Sequence, residues 1–142
     1  MTWNYAMDIG RDLDLLSKGT WESWALFSPD QRYRYALGRI WNERPILLAC
    51  GLNPSTADHE KTDPTLRKFV HIAKRDEYGG LVLVNVAAFR AVDPFGLLYC
   101  LDPVGEHNSA VIRRALDNAP LVGRAVAAWG APKWSAIRPL IR

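Results

Sequence analysis

The chain has 142 residues, of which 49% are hydrophobic and 23% are charged. These proportions are typical of a globular protein and exclude a disordered chain, a collagen-like fibre and a coiled coil. This length favours a single domain over residues 1–142, built around one core. Eighteen Lys and Arg residues against 15 Asp and Glu residues give a formal charge of +3, which permits a polyanionic partner without requiring one.

The apolar runs of the sequence are too short to cross a membrane. The longest, residues 45–52 and 81–89, fall well short of the roughly 18 residues that a transmembrane helix needs. A secretory signal would need an unbroken apolar stretch near the N-terminus. That region instead carries Asp8, Arg11, Asp12 and Asp14. We therefore expect no membrane association and a cytoplasmic location.

The first part of the chain predicts an extension followed by two strands. Residues 1–20 form a variable N-terminal extension with loose helical spacing. Residues 24–28 indicate a short strand that closes at the turn Ser28-Pro29-Asp30. Residues 32–41 alternate between two faces and are rich in aromatic side chains, which indicates a second strand.

Strands and helices then alternate along the chain. Residues 45–52 form a continuous apolar run, typical of a strand that is buried on both faces, and residues 81–89 and 121–129 predict two more such strands. Asp63-Pro64 predicts the start of a helix that runs to about Asp76, because Asp caps helices and Pro fits the first helical position. Asp93-Pro94 and Asp102-Pro103 repeat this arrangement and predict two further helices.

This order of elements defines a fold class. An antiparallel pair of strands is followed by β, α, β, α, β, which is typical of an α/β protein. We predict a three-layer architecture: an open, mostly parallel sheet with helices on both faces and an N-terminal antiparallel strand pair.

Polar residues follow the predicted buried strands. Ligands of open α/β sheets bind beyond the carboxyl ends of the strands. This rule selects Asn53, Pro54, Ser55 and Thr56 after the first buried strand, residues 85–90 in the second, and Trp129 after the third. Each group also has an ordinary structural interpretation, because Asn-Pro-Ser is a common turn and Trp129 can be part of the core.

Motifs spread along the chain carry a family resemblance. The longest is Gly51-Leu52-Asn53-Pro54-Ser55-Thr56-Ala57-Asp58. Others are Phe27-Ser28-Pro29, Asp63-Pro64-Thr65, Gly79-Gly80-Leu81, Phe89-Arg90-Ala91 and Ala127-Ala128-Trp129-Gly130. In their order and spacing these motifs resemble the domain of unknown function 1643 family of bacterial and phage proteins. The resemblance covers about residues 24–134 and implies no activity by itself.

The loop Gly51-Leu52-Asn53-Pro54-Ser55 is also similar to the first motif of the uracil-DNA glycosylase superfamily, particularly its mismatch-specific branch. In those enzymes an Asn in a Gly-x-Asn-Pro loop positions the attacking water, and an Asn in a second strand reads the edge of a flipped base. The resemblance implies the same fold, with Asn53 positioning water and Asn85 reading the base. It implies a DNA glycosylase-like hydrolase, and a slow one, because an amide is a poor general base.

Further residues complete the candidate site. Asp58 belongs to the same loop motif and is the second candidate for a catalytic residue. Phe89 and Trp129 can stack on a base, and core packing is the alternative for Phe89. The remaining base-binding candidates are Pro54, Ser55 and Thr56.

Basic side chains could hold phosphate if nucleic acid or a nucleotide is the partner. The candidates are Arg32, Arg34, Arg67, Lys68 and Arg90. Arg67 and Lys68 lie away from the apolar stripe of the helix after Asp63, so a solvated helix face is the alternative. Tyr33 and Tyr35 alternate with the two arginines of the second strand, where aromatic packing is the alternative.

Two other chemistries are not favoured by the sequence. Asp58, His59, Glu60, Asp63 and His71 lack the spacing of metal ligands, so we expect no metal and no other cofactor. Ser55 lacks the Gly-x-Ser-x-Gly elbow of a serine hydrolase.

The end of the chain departs from the family pattern. It reads Ile137-Arg138-Pro139-Leu140-Ile141-Arg142, whereas the family has a His-Pro-Leu-Tyr-Leu-like segment that would correspond to the His-Pro-Ser loop of glycosylases. We therefore expect weak or lost activity, or an activity that does not depend on that loop. The alternatives are a catalytically inactive nucleotide- or nucleic-acid-binding module, or a phage-type protein-interaction factor.

Overall fold

The computed structural model describes residues 23–55, 57–58, 61–91, 94–117 and 122–129. Its strands are β1 (Ser23–Phe27), β2 (Arg34–Ile40), β3 (Ile46–Gly51), β4 (Gly80–Asn85) and β5 (Val122–Ala127). Its helices are α1 (Pro64–Arg75), α2 (Asn108–Asp117) and a 3₁₀ helix over Pro94–Tyr99. The predicted N-terminal extension, residues 1–20, lies outside the described residues.

The five strands form one sheet in the order β1-β2-β4-β3-β5. The predicted N-terminal antiparallel pair is confirmed, because β1 and β2 are antiparallel neighbours. β4 also pairs antiparallel with β2, while β3 pairs parallel with both β4 and β5. The protein is therefore an α/β protein, but its sheet is mixed, and the prediction of a mostly parallel sheet is wrong. The order of the predicted strands along the chain does not indicate that β2 pairs with β4.

The strand directions bring four chain segments to one edge of the sheet. Gly51 is aligned with Asn85 at the ends of β3 and β4, and Cys50 is aligned with Ala127 at the end of β5. Because β2 runs antiparallel to β4, β2 begins at this edge, and the main-chain N–H of Arg34 donates to the oxygen of Ala88 at 2.9 Å. The carboxyl ends of the parallel strands therefore meet the start of β2.

Alternate residues of the strands enter two different core clusters. Leu48 of β3 belongs to a cluster with Val111 and Ala115 of α2. Leu47, its neighbour on the same strand, belongs to a cluster with Leu66 and Ala73 of α1. Successive side chains of a strand point to opposite faces of a sheet, which explains this division.

Local chemistry explains where α1 begins and ends. Asp63 is in an extended conformation, and its Oδ1 accepts a hydrogen bond from the N–H of Leu66 at 2.7 Å. Pro64 takes the first helical position, where a missing N–H costs nothing. The N–H of Asp76 donates to Ile72, and Glu77 then adopts a φ of 64°, which turns the chain away. The predicted capping by Asp63 is confirmed.

The other predicted elements differ from the structure in extent. β4 ends at Asn85 rather than at Phe89, and Phe89 instead forms an isolated bridge with Tyr33. Of the two predicted later helices, the first is a 3₁₀ helix and the second begins at Asn108. Asp102 does not cap a helix directly, because its Oδ1 accepts from the N–H of Gly105 in the preceding turn.

The third strand of the alternating series occupies an unexpected position. β5 is predicted to be buried on both faces, but most of its residues are exposed or half-buried. It lies at the end of the strand order, where it has only β3 as a neighbour among the described strands. The prediction of a third buried strand is therefore wrong.

The turn before α2 depends on a glycine. Gly105 has a φ of 93°, and a Cβ there would lie 3.0 Å from the rings of both Tyr33 and Tyr35. These two rings stack with their centroids 6.1 Å apart.

Within the described part of the chain, no helix combines the length and apolar character that crossing a membrane would require.

Candidate functional site

A cavity of about 120 Å³ lies at the edge where the strand ends meet. Its polar lining comes from the start of β2, the loop after β3, the start of α1 and the end of β4. These polar residues are Arg34, Asn53, Ser55, Asp63, Thr65 and Asn85. Leu52, Phe69, Leu83 and Trp129 supply its large apolar and aromatic surfaces. The structure therefore brings Asn53, Ser55, Asn85, Arg34 and Trp129, all selected from the sequence, to one cavity.

Asn85 ends β4 and is only 2% exposed. Its main-chain oxygen accepts a hydrogen bond from Nδ2 of Asn108 at 2.8 Å, which ties this strand end to α2. Its own Nδ2 is buried without a hydrogen-bond partner. Gly51 lies beside the amide, and a Cβ at Gly51 would be 2.9 Å from Oδ1 of Asn85. Leaving a buried amide unpaired costs about 1–3 kcal/mol, so this donor is a marker for a ligand or a water.

Asn53 follows β3 and is held by its amide nitrogen. The Nδ2 group donates to the main-chain oxygen of Ala91 and, at 3.2 Å, to that of Pro54. These bonds use the donors of the side chain and fix its orientation. The Oδ1 atom remains as the acceptor that Asn53 can offer to a water molecule.

Arg34 is 1% exposed although it carries a charge. Its Nη1 donates to the main-chain oxygen of Ala57 at 2.7 Å, while its Nε is buried without a partner. Burial lowers the pKa of the guanidinium to about 10, and the nearby carboxylate of Asp63 opposes this shift. The group therefore stays charged at neutral pH and has one donor without a partner.

Asp63 is 5% exposed and both of its oxygens accept main-chain hydrogen bonds. Oδ1 accepts from Leu66, and Oδ2 accepts from the N–H of Ala57 at 3.0 Å. Burial acts to raise the pKa of Asp63. The hydrogen bonds from Leu66, Ser55 and Ala57 and the positive charge of Arg34 outweigh burial, so the pKa lies below its usual value. Asp63 is therefore an ionised structural group that joins the loop after β3 to α1.

The structure places several other predicted residues away from the cavity. Phe89 packs with Leu97 and Ala87, and its ring meets that of Tyr33 edge to face at 5.7 Å. Pro54 is buried in the loop after β3. Asp58 accepts the N–H of Lys61 on Oδ1 at 2.6 Å and does not line the cavity. Thr56 lies outside the described residues.

The predicted phosphate-binding residues are spread over the surface, apart from the buried Arg34. Arg32 is exposed, with its Nε 3.9 Å from Oδ2 of Asp30. Arg90 lies over the ring of Phe27, with 4.7 Å between the guanidinium carbon and the ring centroid. Arg67 and Lys68 are exposed on α1.

The sequence predicts other roles for two of the cavity residues. Asp63 is predicted only as a helix cap, and Arg34 only as a contact for phosphate. A carboxylate cap directly after a loop of candidate residues is a signal that could have placed Asp63 at the site. For metal ions, the described residues contain no cluster of three or more His, Cys, Asp or Glu side chains that could bind one. His59 and Glu60 lie outside the described residues.

The fold and the cavity together define an α/β protein with a small polar cavity at the carboxyl ends of its parallel strands. The chain belongs to the family described as protein of unknown function (DUF1643), whose model matches residues 34–139. The predicted resemblance to this family is thereby confirmed. Neither the curated proteins nor the solved structures contain a match to the chain. The similarity to uracil-DNA glycosylases stays a prediction.

Proposed function

We propose that the cavity binds a nucleobase that is presented by DNA or by a nucleotide. The observation that carries the proposal is the buried, unpartnered Nδ2 of Asn85 in the same cavity as Asn53 and Trp129. A base needs donors and acceptors at its edge and a flat apolar surface against its ring. Asn85 supplies the edge contact, and the ring of Trp129 supplies a surface for stacking.

The size of the cavity restricts the ligand. Sites for drug-sized ligands have volumes of about 300–1,000 Å³, and the cavity has about 120 Å³. A single heterocyclic ring is the part of a nucleotide that suits this volume. The sugar and the phosphate would then stay outside, as they do when an enzyme extrudes one base from a strand.

Two residues that line the cavity have unpaired donors, and these favour a base with hydrogen-bond acceptors. Nε of Arg34 and Nδ2 of Asn85 are both donors, and both are buried without a partner. Both carboxylate oxygens of Asp63 already accept hydrogen bonds from main-chain N–H groups. Oxo groups on the ring would satisfy the two donors, whereas amino groups would leave them unpaired.

The reaction that suits these groups is hydrolysis of the N-glycosidic bond. A water held by Oδ1 of Asn53 would attack C1′ of the sugar, and the bond between C1′ and the base nitrogen would break. The electron pair leaves with the base, the hydroxyl remains on C1′, and the proton from water is transferred to the base. Donors aimed at the departing base stabilise the negative charge that develops on it.

One observation favours binding without turnover as the second candidate function. Asp63 is the carboxylate that lines the cavity, but its hydrogen bonds and lowered pKa make it a poor base. An amide at Asn53 can position a water but accepts its proton poorly. These groups suit a protein that recognises a base and cleaves its N-glycosidic bond slowly or not at all.

The proposal includes a finer description of the fold. The two core clusters contain alternate strand residues, one with α1 and the other with α2. This division supports a three-layer arrangement with helices on both faces of the sheet, as in the predicted uracil-DNA glycosylase-like fold. An experimental structure superposed on members of that superfamily would test it.

A panel of oligonucleotides tests the function. Each would carry one uracil, mismatch or phage-type modified base, and the readouts would be strand binding and the formation of abasic sites. We expect Asn85→Ala to weaken binding and Asn53→Ala to reduce any turnover with little change in binding. Asn42→Ala is the matched control, because Asn42 lies beyond the other end of β2, where its Oδ1 accepts a hydrogen bond from the N–H of Arg44.

The outcomes separate the two candidate functions. Abasic sites that disappear in Asn53→Ala would support a glycosylase. Binding that is lost in Asn85→Ala, without abasic sites in any variant, would support a binding module. Binding that is equal in the wild type, Asn85→Ala and Asn42→Ala would remove both.

A further inference from the structure

A second depression lies beside α1, on the side of the helix away from the cavity lining. It has a volume of about 370 Å³ and is larger than the cavity. Its lining includes Arg39, Trp41, Thr62, Arg67, Val70 and Lys74, and we call it the basic groove after its three cationic side chains. Its volume falls in the range of about 300–1,000 Å³ that is typical of ligand sites.

Three cationic side chains line the basic groove, and two of them are held in place. Arg39 is half-buried, and its Nη2 donates to the main-chain oxygen of Asp58 at 2.6 Å. The Nζ of Lys74 lies 5.2 Å from the centroid of the Trp41 ring. Trp41 is itself fixed, because its Nε1 donates to the oxygen of Tyr78 at 3.0 Å. Arg67 is exposed on α1 and supplies the third charge.

The charges of the groove are of one sign. Among the described residues that line it, none is Asp or Glu. The carboxylates of Asp58 and Asp63, which are not part of the lining, oppose the lowering of the Arg39 pKa by burial, and Lys74 lies over the face of the Trp41 ring. Cations that converge in a concave surface produce a positive potential that attracts anions. A site of this composition suits phosphate groups.

The first turns of α1 lie between the cavity and the near part of the groove, whose far part reaches Trp41 and Lys74. Asp63, Thr65 and Phe69 line the cavity, whereas Thr62, Arg67 and Val70 line the groove. A helix with its side chains is about 10 Å wide, so the two depressions are close neighbours. A ligand that enters both depressions must therefore span at least the width of the helix, as a strand of several nucleotides can.

We infer that the basic groove binds the phosphodiester backbone of the strand whose base enters the cavity. This inference rests on the proposed function and deepens it, because it identifies the ligand as a nucleic-acid strand rather than a free nucleotide. The base in the cavity supplies selectivity, and the phosphates in the groove supply most of the affinity and its dependence on salt.

The experiment compares two double variants that remove the same charge. Arg67→Gln/Lys74→Gln neutralises two cations of the groove. Arg44→Gln/Arg113→Gln neutralises two exposed cations that do not line it. Binding of a fluorescent single-stranded oligothymidine and of thymidine monophosphate is measured for both variants, the wild type and Asn85→Ala at several salt concentrations. Thermal melting confirms that each variant is folded.

We expect the wild type to bind the oligonucleotide more tightly than the mononucleotide. In the groove variant, the slope of log Kd against log salt should fall by about 0.7 for each phosphate contact removed, and the oligonucleotide affinity should fall about tenfold or more at low salt. Mononucleotide binding should stay unchanged in this variant. The control variant should keep the salt slope of the wild type.

The arms of the experiment separate this inference from the proposed function. Equal loss of oligonucleotide binding in the groove and control variants would overturn the inference, since net charge alone would then explain binding. Polyglutamate that competes as strongly as unlabelled oligothymidine would overturn it too. If Asn85→Ala binds both ligands like the wild type while the groove variant no longer binds the oligonucleotide, phosphate binding by the groove is supported and base binding by the cavity is contradicted.

Discussion

The cavity and the basic groove lie on two sides of the same helix but differ in how deeply their polar side chains are buried. In the cavity, Asn85 and Arg34 are at most 2% exposed, and each has a donor atom without a partner. In the groove, Arg67 and Lys74 are exposed to water. Burying an unpaired donor lowers stability, whereas an exposed cation has almost no effect on it. Changes in the two regions should therefore differ in their effects on folding.

Asp63→Ala should give the largest loss of stability. It removes the cap of α1, leaves the N–H of Ala57 without its acceptor and removes the negative charge that acts most strongly on Arg34. We expect the free energy of unfolding to fall by about 2–3 kcal/mol, measured by urea denaturation. Asp76→Ala at the other end of the helix is the control, and equal losses for both would contradict the assigned role.

The same carboxylate should make the protein sensitive to acid. Because the pKa of Asp63 is lower in the folded protein than in the unfolded chain, its ionised form stabilises the fold. That contribution is complete above its usual value of 3.8 and is lost as the pH falls through the folded-state pKa. Denaturation curves at decreasing pH should show a steeper decline for the wild type than for Asp63→Asn. Parallel declines would show that Asp63 does not contribute.

Gly51→Ala should displace the side-chain amide of Asn85, which lines the cavity. The added methyl group would lie 2.9 Å from Oδ1 of Asn85, so the buried amide must shift. We expect a loss of about 1 kcal/mol in stability, together with weaker binding of the oligonucleotide panel. Binding at the wild-type level would mean that the position of the Asn85 amide is not important for the ligand.

Asn85→Leu should change stability in the opposite direction. Leucine has a similar shape and removes a donor that is buried without a partner. The free energy of unfolding should therefore rise by about 1 kcal/mol while ligand binding is lost. A clear loss of stability would show that the amide has a structural role instead.

Arg67→Gln should have the smallest effect on folding. Its side chain is exposed on α1, so stability should change by less than about 0.5 kcal/mol. Oligonucleotide binding should nevertheless weaken and become less dependent on salt. A change in stability as large as that of Gly51→Ala would remove the contrast between groove and cavity.

Much of the local structure follows from the sequence. The bounds of β3 and α1 agree with the predictions to within one residue, because an apolar run and an Asp-Pro start act through near neighbours. The burial of β5 could not be predicted in the same way. Its apolar run resembles that of β3, but the strand order places it at an end of the sheet.

Arg32 and Arg34 illustrate the same limit at the candidate site. They occupy the same face in the alternating pattern of the sequence, and both are predicted to contact phosphate. The structure leaves Arg32 exposed and buries Arg34 beneath the loop after β3, where it bonds to Ala57. Burial here depends on which segment crosses over the strand, and the alternation of residues contains no information about that.

The sequence by itself determined the α/β class, the helix that Asp63 caps, and two asparagines at the ends of predicted strands. Each of these depends on residues within a few positions along the chain. Only the tertiary structure decided that Arg34, Asp63 and Asn85 share one cavity and that Arg39 and Lys74 share one groove. The proximity of residues that are far apart in the sequence depends on strand order and direction, which are fixed when the core packs as a whole.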